Sequence, residues 1–304
     1  MSSSKIQKLD NGQTNNQKVT NSEKNKQKRK VKSTKLNEEL ENEVVNDNNL
    51  SLESQISSSS NAIAESILHL ERELSEKLSQ IKFKAPVDYI YNPIEYAYDV
   101  HANYVNSYCQ GRKKILYLGI NPGPWGMSQN GVPFGEISMV KDWLKLSGKI
   151  EKPPREHPER IISGFNCTRK EVSGLRFWGF FRELCKTTDI FFRHSYVHNY
   201  CPLAFMNSKA KNITPADLKA DEKKELLLIC DEVLKKIIKV LNVEIVVGIG
   251  RFAEERVKDI LRDEVNINVI YMPHPSPRAV NNENWPEKAK MTLERNKLLE
   301  YYSQ

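Results

Sequence analysis

Four short runs of apolar, β-branched or aromatic residues constrain the fold of this chain more than any other feature. They are KILYLGI (Lys114 to Ile120), SYVHNY (Ser195 to Tyr200), VEIVVGI (Val243 to Ile249) and NINVIYM (Asn266 to Met272). Each is too short for a buried helix and is followed within two residues by Pro, Gly or Asn, as expected for a strand covered on both faces. Between them lie stretches with apolar residues at helical spacing, notably Gly174 to Cys185 and Pro215 to Leu241. Buried strands joined by helical crossovers satisfy their backbone groups as a parallel sheet with helices on both sides. The expected fold class is therefore α/β: a three-layer α/β/α sandwich with a central, mainly parallel four-stranded sheet. Ile63, Ile67, Leu70, Leu74, Leu78 and Ile81 form one stripe of a further helix expected from Ala62 to Ile81, and Tyr89 to Tyr108 is expected to be helical beyond Pro93.

The first 60 residues differ from the rest. They hold no aromatic residue and are dominated by Ser, Asn, Gln, Lys and Glu, too little apolar surface to offset the entropy of ordering. A disordered basic tail over 1–60 and one folded domain over 61–304 are expected. Within the tail, KNKQKRKVKSTK (Lys24 to Lys35) carries seven basic residues and no acidic one, which suits a nuclear import signal and a nuclear location. The tail has no apolar run of a secretory signal, and no run in the chain approaches the roughly 20 apolar residues of a membrane span, so no membrane partner is expected. The five cysteines form no CxxC pair, so a reducing compartment and no metal are expected. Lys and Arg number 46 against 39 Asp and Glu, a net charge of +7, which favours a polyanionic partner.

In open parallel sheets, ligands bind beyond the carboxyl ends of the strands. Those ends read Gly119-Ile120-Asn121-Pro122-Gly123-Pro124, His198-Asn199-Tyr200-Cys201-Pro202, Gly248-Ile249-Gly250-Arg251 and Pro273-His274-Pro275-Ser276-Pro277-Arg278. Two asparagines, a histidine and an arginine converge there on backbones stiffened by Pro or Gly, and the strand ends bring no carboxylate. Such a pocket suits a neutral heterocycle held by hydrogen bonds. Gly248-Ile249-Gly250-Arg251-Phe252-Ala253 also fits the dinucleotide fingerprint, but the acidic residue that would hold a ribose about 20 residues on is missing at Tyr271-Met272-Pro273-His274. Close packing of strand on helix explains those glycines better.

Five motifs occur in order: Gly119 to Met127, Gly131 to Glu136, Glu171 to Phe181, His198-Asn199 with Cys201-Pro202-Leu203, and His274 to Arg278. Together, over about Pro93 to Leu299, they resemble the single-strand-selective monofunctional family of the uracil-DNA glycosylase superfamily. The resemblance implies a DNA glycosylase that hydrolyses the N-glycosidic bond of uracil and of 5-substituted uracils such as 5-hydroxymethyluracil, in single- and double-stranded DNA, without a cofactor, a lyase step or an obligate protein partner. It gives Asn121 the placing of the attacking water and His274 a hydrogen bond to uracil O2 as the base leaves, from either a neutral or a charged imidazole. Asn199 would read the O4/N3 edge, Phe134 would stack on the base, and Ile120, Gly123 and Met127 would complete the base pocket, with room near C5 at Gly123. Ser276, Pro277 and Arg278 would enter the DNA as a wedge, and Lys209 and Lys211 would meet phosphates. The alternative from another class is a non-catalytic binder of damaged or abasic DNA with the same fold.

Overall fold

Parallel pairing of four strands forms the centre of the domain, and the register of that pairing decides which residues share a rim. The computed structural model describes residues 62–278 and 282–303; the expected tail and its basic run lie outside the described residues. Helix α1 covers 62–79 and buries Ile67, Leu70, Leu74 and Leu78 on the predicted stripe. There follow β1 (Tyr89–Tyr91), α2 (Pro93–Tyr96), α3 (Tyr98–Tyr108), β2 (Ile115–Gly119) and the short α4 (Met127–Asn130). A long irregular segment leads to α5 (Val172–Cys185), α6 (Thr188–His194), β3 (Ser195–Asn199), β4 (Ala204–Met206) and β5 (Asn212–Ile213). The chain continues through α7 (Ala220–Leu241), β6 (Ile245–Ile249), α8 (Arg251–Ile260), β7 (Asn268–Met272) and α9 (Trp285–Arg295). No helix among the described residues is long and apolar enough to cross a membrane.

The main sheet has strand order β3-β2-β6-β7, every pair parallel. This is the expected α/β architecture, with all four strands inside the predicted runs. The 3-10 turn Pro215–Asp217 and the break after it shorten the helix expected from Pro215, so that α7 starts at Ala220. A second, antiparallel sheet of order β1-β4-β5 was not expected; its strands of two or three residues are too short to show an alternating pattern.

Alternation along β2 and β3 sends side chains to two layers. Tyr117 on one face meets Phe177 and Phe181 of α5 and Phe191 of α6, and its hydroxyl joins those of Tyr302 at 2.6 Å and, through Tyr302, Ser195. Tyr196 on the other face stacks on Tyr104 of α3. Also on that face is Glu71 of α1, buried and 2.7 Å from His101 Nε2 and 3.5 Å from His198 Nδ1. Burial alone would neutralise this group, but the two imidazoles outweigh it and hold the Glu71 carboxyl below its usual range. His101 is likewise raised against its own burial by Glu71 and by the Gly131 carbonyl, 2.8 Å from its Nδ1. Facing an acceptor at each nitrogen, the ring carries both protons.

Removing one partner of a buried ion pair leaves an uncompensated charge, whereas exposed pairs contribute little. Glu71→Ala is therefore expected to cost about 3 to 5 kcal/mol in urea unfolding, and Glu73→Ala, whose pairs with His69 and Lys236 are partly exposed, less than about 1 kcal/mol. Equal losses in the two variants would contradict this account of the α1 contact.

Candidate active site

The parallel ladder sets the strand ends level: Gly119 pairs with Asn199 and Ile249 with Met272. It then continues past the strands, Tyr200 N–H donating to Gly119 O at 3.0 Å and Cys201 N–H to Ile120 O at 2.9 Å. The loops after β2, β3 and β7 consequently leave the sheet from one rim. Together with the loop before Phe134 and the start of α5 they enclose a cavity of about 580 Å³. Its lining contains Ile120, Asn121, Gly123, Met127, Phe134, Asn199, Lys211, His274, Ser276, Pro277 and Arg278, so residues far apart in sequence are brought together as expected. Lys209 is the exception among the candidates: it is exposed in the β4–β5 turn, where Asn207 Oδ1 accepts the N–H groups of Lys209 and Lys211, and only Lys211 reaches the lining.

Each polar group in the cavity is held by one contact and leaves another atom free. Asn121 Nδ2 donates to Leu203 O at 3.0 Å, which leaves its Oδ1 as an acceptor. Asn199 is buried and its Nδ2 donates to Met127 Sδ at 3.0 Å; sulfur is a weak acceptor, and Oδ1 with the second amide hydrogen stays available. His274 Nδ1 accepts the N–H of Ser276 at 3.1 Å. Burial pushes the His274 imidazole down to about 4, so the ring is neutral at physiological pH and its proton sits on Nε2. The sequence left a neutral or a charged ring open; the Ser276 amide requires the neutral one. Asn282 fixes the same loop, donating to His274 O at 2.9 Å and Ser276 O at 2.8 Å.

Phe134 supplies an aromatic wall. One face stacks on Phe177 with centroids 4.8 Å apart and 17° between planes, and the ring lies 6.1 Å from that of His274. Its backbone is left-handed, φ 52°, a conformation that a bulky residue adopts only when its surroundings impose it. Asn130 does so from one side, accepting Val132 N–H and donating to Gly135 O, and Trp178 Nε1 donates to Pro133 O at 3.1 Å. From the other side Gly174 of α5 lets the loop approach so closely that a Cβ there would collide with the Phe134 carbonyl.

Three features were missed by reading strand ends alone. Glu171, just before α5, puts into the lining a carboxylate that the strand ends do not supply. Arg160 and Lys170 add cations at the mouth beside Lys211 and Arg278. Trp125 takes the guanidinium groups of Arg160 and Arg169 on its ring, each 4.6 Å from the centroid. All but Trp125 come from the irregular stretch before α5, where no periodicity marks a role. Within the quoted motif, Glu171 itself was visible.

A model of the uracil DNA glycosylase superfamily matches residues 106–300. The chain belongs to the uracil-DNA glycosylase superfamily. Among curated relatives, the rat protein named single-strand selective monofunctional uracil-DNA glycosylase is 48% identical over 235 residues, 77% of this chain and 84% of the relative. The bovine protein of that name is 47% identical over 234 residues, 76% and 86% of the two chains. The crystal structure of wild-type SMUG2 from Pedobacter heparinus aligns with a TM-score of 0.55 at 16% identity, covering 77% of this chain and 98% of that one; at that identity it shows a shared fold.

The neutral imidazole has a measurable consequence. An NMR titration of His274 is expected to give a midpoint near 4, and one at or above the ordinary 6.5 would contradict the tautomer assigned here. Because the unfolded chain takes up this proton near 6.5 and the folded chain only near 4, His274 weakens folding as pH falls through that window.

Proposed function

We propose that the protein is a monofunctional uracil-DNA glycosylase that releases uracil and 5-substituted uracils, including 5-hydroxymethyluracil, from single- and double-stranded DNA and so opens base-excision repair. The observation that supports it most is the convergence of Asn121, Asn199, Phe134 and His274 on one cavity, with free polar atoms on Asn199 and His274 for a pyrimidine, one on Asn121 for a water, and an aromatic ring at Phe134. A base inside a duplex is out of reach, so the nucleotide must swing out into the cavity at a cost of a few kcal/mol. Phe134 offers it a stacking face, worth roughly 1 to 3 kcal/mol per base. The Asn199 amide offers one acceptor and one donor, matching N3–H and O4 of uracil and opposing the reversed pattern of cytosine.

The C1′–N1 bond then breaks with its electron pair passing into the pyrimidine ring and onto O2. A neutral His274 with its proton on Nε2 donates to that oxygen as charge develops, and a preorganised donor of this kind contributes about 3 to 4 kcal/mol to the transition state. The sugar becomes oxocarbenium-like at C1′. A water whose proton points at Asn121 Oδ1 turns a lone pair to C1′, adds its oxygen there, and gives up its proton to solvent, leaving an abasic sugar and the free base. Asn121 is not a base strong enough to take that proton, so the reaction relies on departure of the base.

The cations Arg160, Lys170, Lys211 and Arg278 around the mouth suit the phosphates on either side of an extruded nucleotide. The stiff Pro275-Ser276-Pro277-Arg278 loop, whose Pro277 and Arg278 are exposed, suits the gap such a nucleotide leaves. The basic run at Lys24 to Lys35 would direct the enzyme to the nucleus.

Purified protein incubated with a uracil-containing oligonucleotide should give alkali-labile strands; binding to abasic DNA with no base release would favour the non-catalytic alternative. Asn121→Ala should lower turnover about 100-fold or more with DNA binding retained, and a matching collapse of binding would assign Asn121 to structure alone. Arg278→Ala should slow release from a duplex more than from a single strand, since only the duplex has a gap to fill; equal slowing would remove the wedge.

A further inference from the structure

The loop that carries His274 has few backbone donors, since Pro273, Pro275 and Pro277 bring none. The Ser276 amide goes to the His274 ring, and that of Arg278 to Ser276 Oγ at 3.2 Å. Its carbonyls are met from outside the loop. Trp285 Nε1 donates to Pro273 O at 2.7 Å, the Asn282 amide to His274 O and Ser276 O, and Arg176 Nη1 to Pro275 O at 3.3 Å. Every carbonyl from Pro273 to Ser276 thus accepts from a side chain. The same Arg176 nitrogen donates to Asn282 O at 2.9 Å, so this guanidinium holds both the loop and the residue that grips it.

These contacts lead back to α5. Arg176 belongs to that helix, and the Trp285 ring packs against its Phe177 and Phe180, with centroids 6.4 and 5.9 Å away. The same stretch of α5 carries the supports of the aromatic wall: Gly174 against the Phe134 carbonyl, Phe177 stacked on the Phe134 ring, and Trp178 bonded to Pro133 O. The stacking face and the histidine donor are therefore fastened to one rigid element. We propose that Arg176 and Asn282 are positioning residues for His274, holding its loop so that Nε2 stays aimed at uracil O2 at a set spacing from the Phe134 face. The proposal rests on the glycosylase function above and adds to it the side chains that decide where the donor stands.

The link from Arg176 to the imidazole runs through one peptide plane. The carbonyl of Pro275 and the N–H of Ser276 are the two ends of a single planar unit. Arg176 holds the carbonyl end with a charge-assisted bond, and the other end then faces His274 Nδ1, the contact that places the ring proton on Nε2. Asn282, which is buried, holds the peptide units before and after that one through His274 O and Ser276 O. With either side chain removed the plane can turn, the Ser276 amide leaves Nδ1, and a neutral ring is free to carry its proton on either nitrogen. A donor acts on developing charge only from the place where that charge appears, and a misplacement of about 1 Å can cost on the order of 100-fold in rate. Single-stranded and duplex substrates need this donor equally, whereas only a duplex needs a wedge.

The test measures single-turnover release of uracil from a single-stranded and a duplex oligonucleotide by the full-length protein, Arg176→Lys, Arg176→Met and Asn282→Ala, together with ¹⁵N NMR of the His274 ring in each. In Arg176→Met and Asn282→Ala the maximal rate should fall about 10-fold or more on both substrates, with half-saturation kept within about 2-fold, and the ring should show both neutral tautomers. Arg176→Lys keeps a donor for Pro275 O and should lose less. Unchanged rates with the ring still protonated on Nε2 alone would overturn the proposal, and so would a loss confined to the duplex, which would assign the brace to the wedge. Should Asn282→Ala fail to fold, the comparison of Arg176→Met with Arg176→Lys decides the matter. No uracil release by the unaltered protein would instead refute the glycosylase function, and the ring signals of the variants would still show whether Arg176 and Asn282 hold His274.

Discussion

The site depends on the hydrogen-bond ladder between β2 and its parallel neighbours β3 and β6. Parallel strands in register end at one level, and a slip of one residue would turn every side chain to the opposite face. With Gly119 opposite Asn199 and Ile249 opposite Met272, Asn121 and His274 each stand two residues beyond their strand and emerge on a common rim. The ladder bonds that continue into Tyr200 and Cys201 lock two of the loops together, so the amides of Asn121 and Asn199 approach a ligand from fixed positions. Little of the geometry is left to form on binding, as a site acting by preorganised hydrogen bonds requires.

Around that ladder the fold holds its polar groups in defined protonation states. A single amide, that of Ser276, decides which nitrogen of His274 carries the proton, and burial keeps the ring uncharged. On the opposite face of the sheet, Glu71 is linked through His101 to the carbonyl of Gly131, the residue that starts the loop of Phe134. Helix α1, which precedes the part of the chain matched by the family model, thus helps to fix the aromatic wall. The strained backbone of Phe134 is sustained by Asn130, Trp178 and the bare Cα of Gly174.

Much of this was legible in the sequence because its signals are local or periodic. The four apolar runs enclose β2, β3, β6 and β7, with ends off by a residue or two because hydrophobicity spreads past the last ladder bond. Asn121, Asn199 and His274 could be picked out once the strands were placed, since the strand-end rule converts position in sequence into position on a rim. Strands β1, β4 and β5 stayed hidden because two or three residues carry no period. The buried Glu71, His101 and His198 are joined only by tertiary packing, and nothing in the spacing of an acid on a helix and two distant histidines announces it. Glu171 lay in a quoted motif, yet its place in the cavity beside Gly123 and Gly126 is a relation that only coordinates display.

The account rests on three loops, two of which present the Asn199 amide and the His274 donor to the edges of a single pyrimidine ring while the third presents Asn121 to the attacking water. A crystal structure of the protein with free uracil tests this most directly. The ring is expected against Phe134, with O2 within hydrogen-bond distance of His274 Nε2, N3 and O4 at the Asn199 amide, and C5 turned to Gly123. Uracil bound with its O2 away from His274 and its edge away from Asn199, or bound outside this cavity, would contradict it.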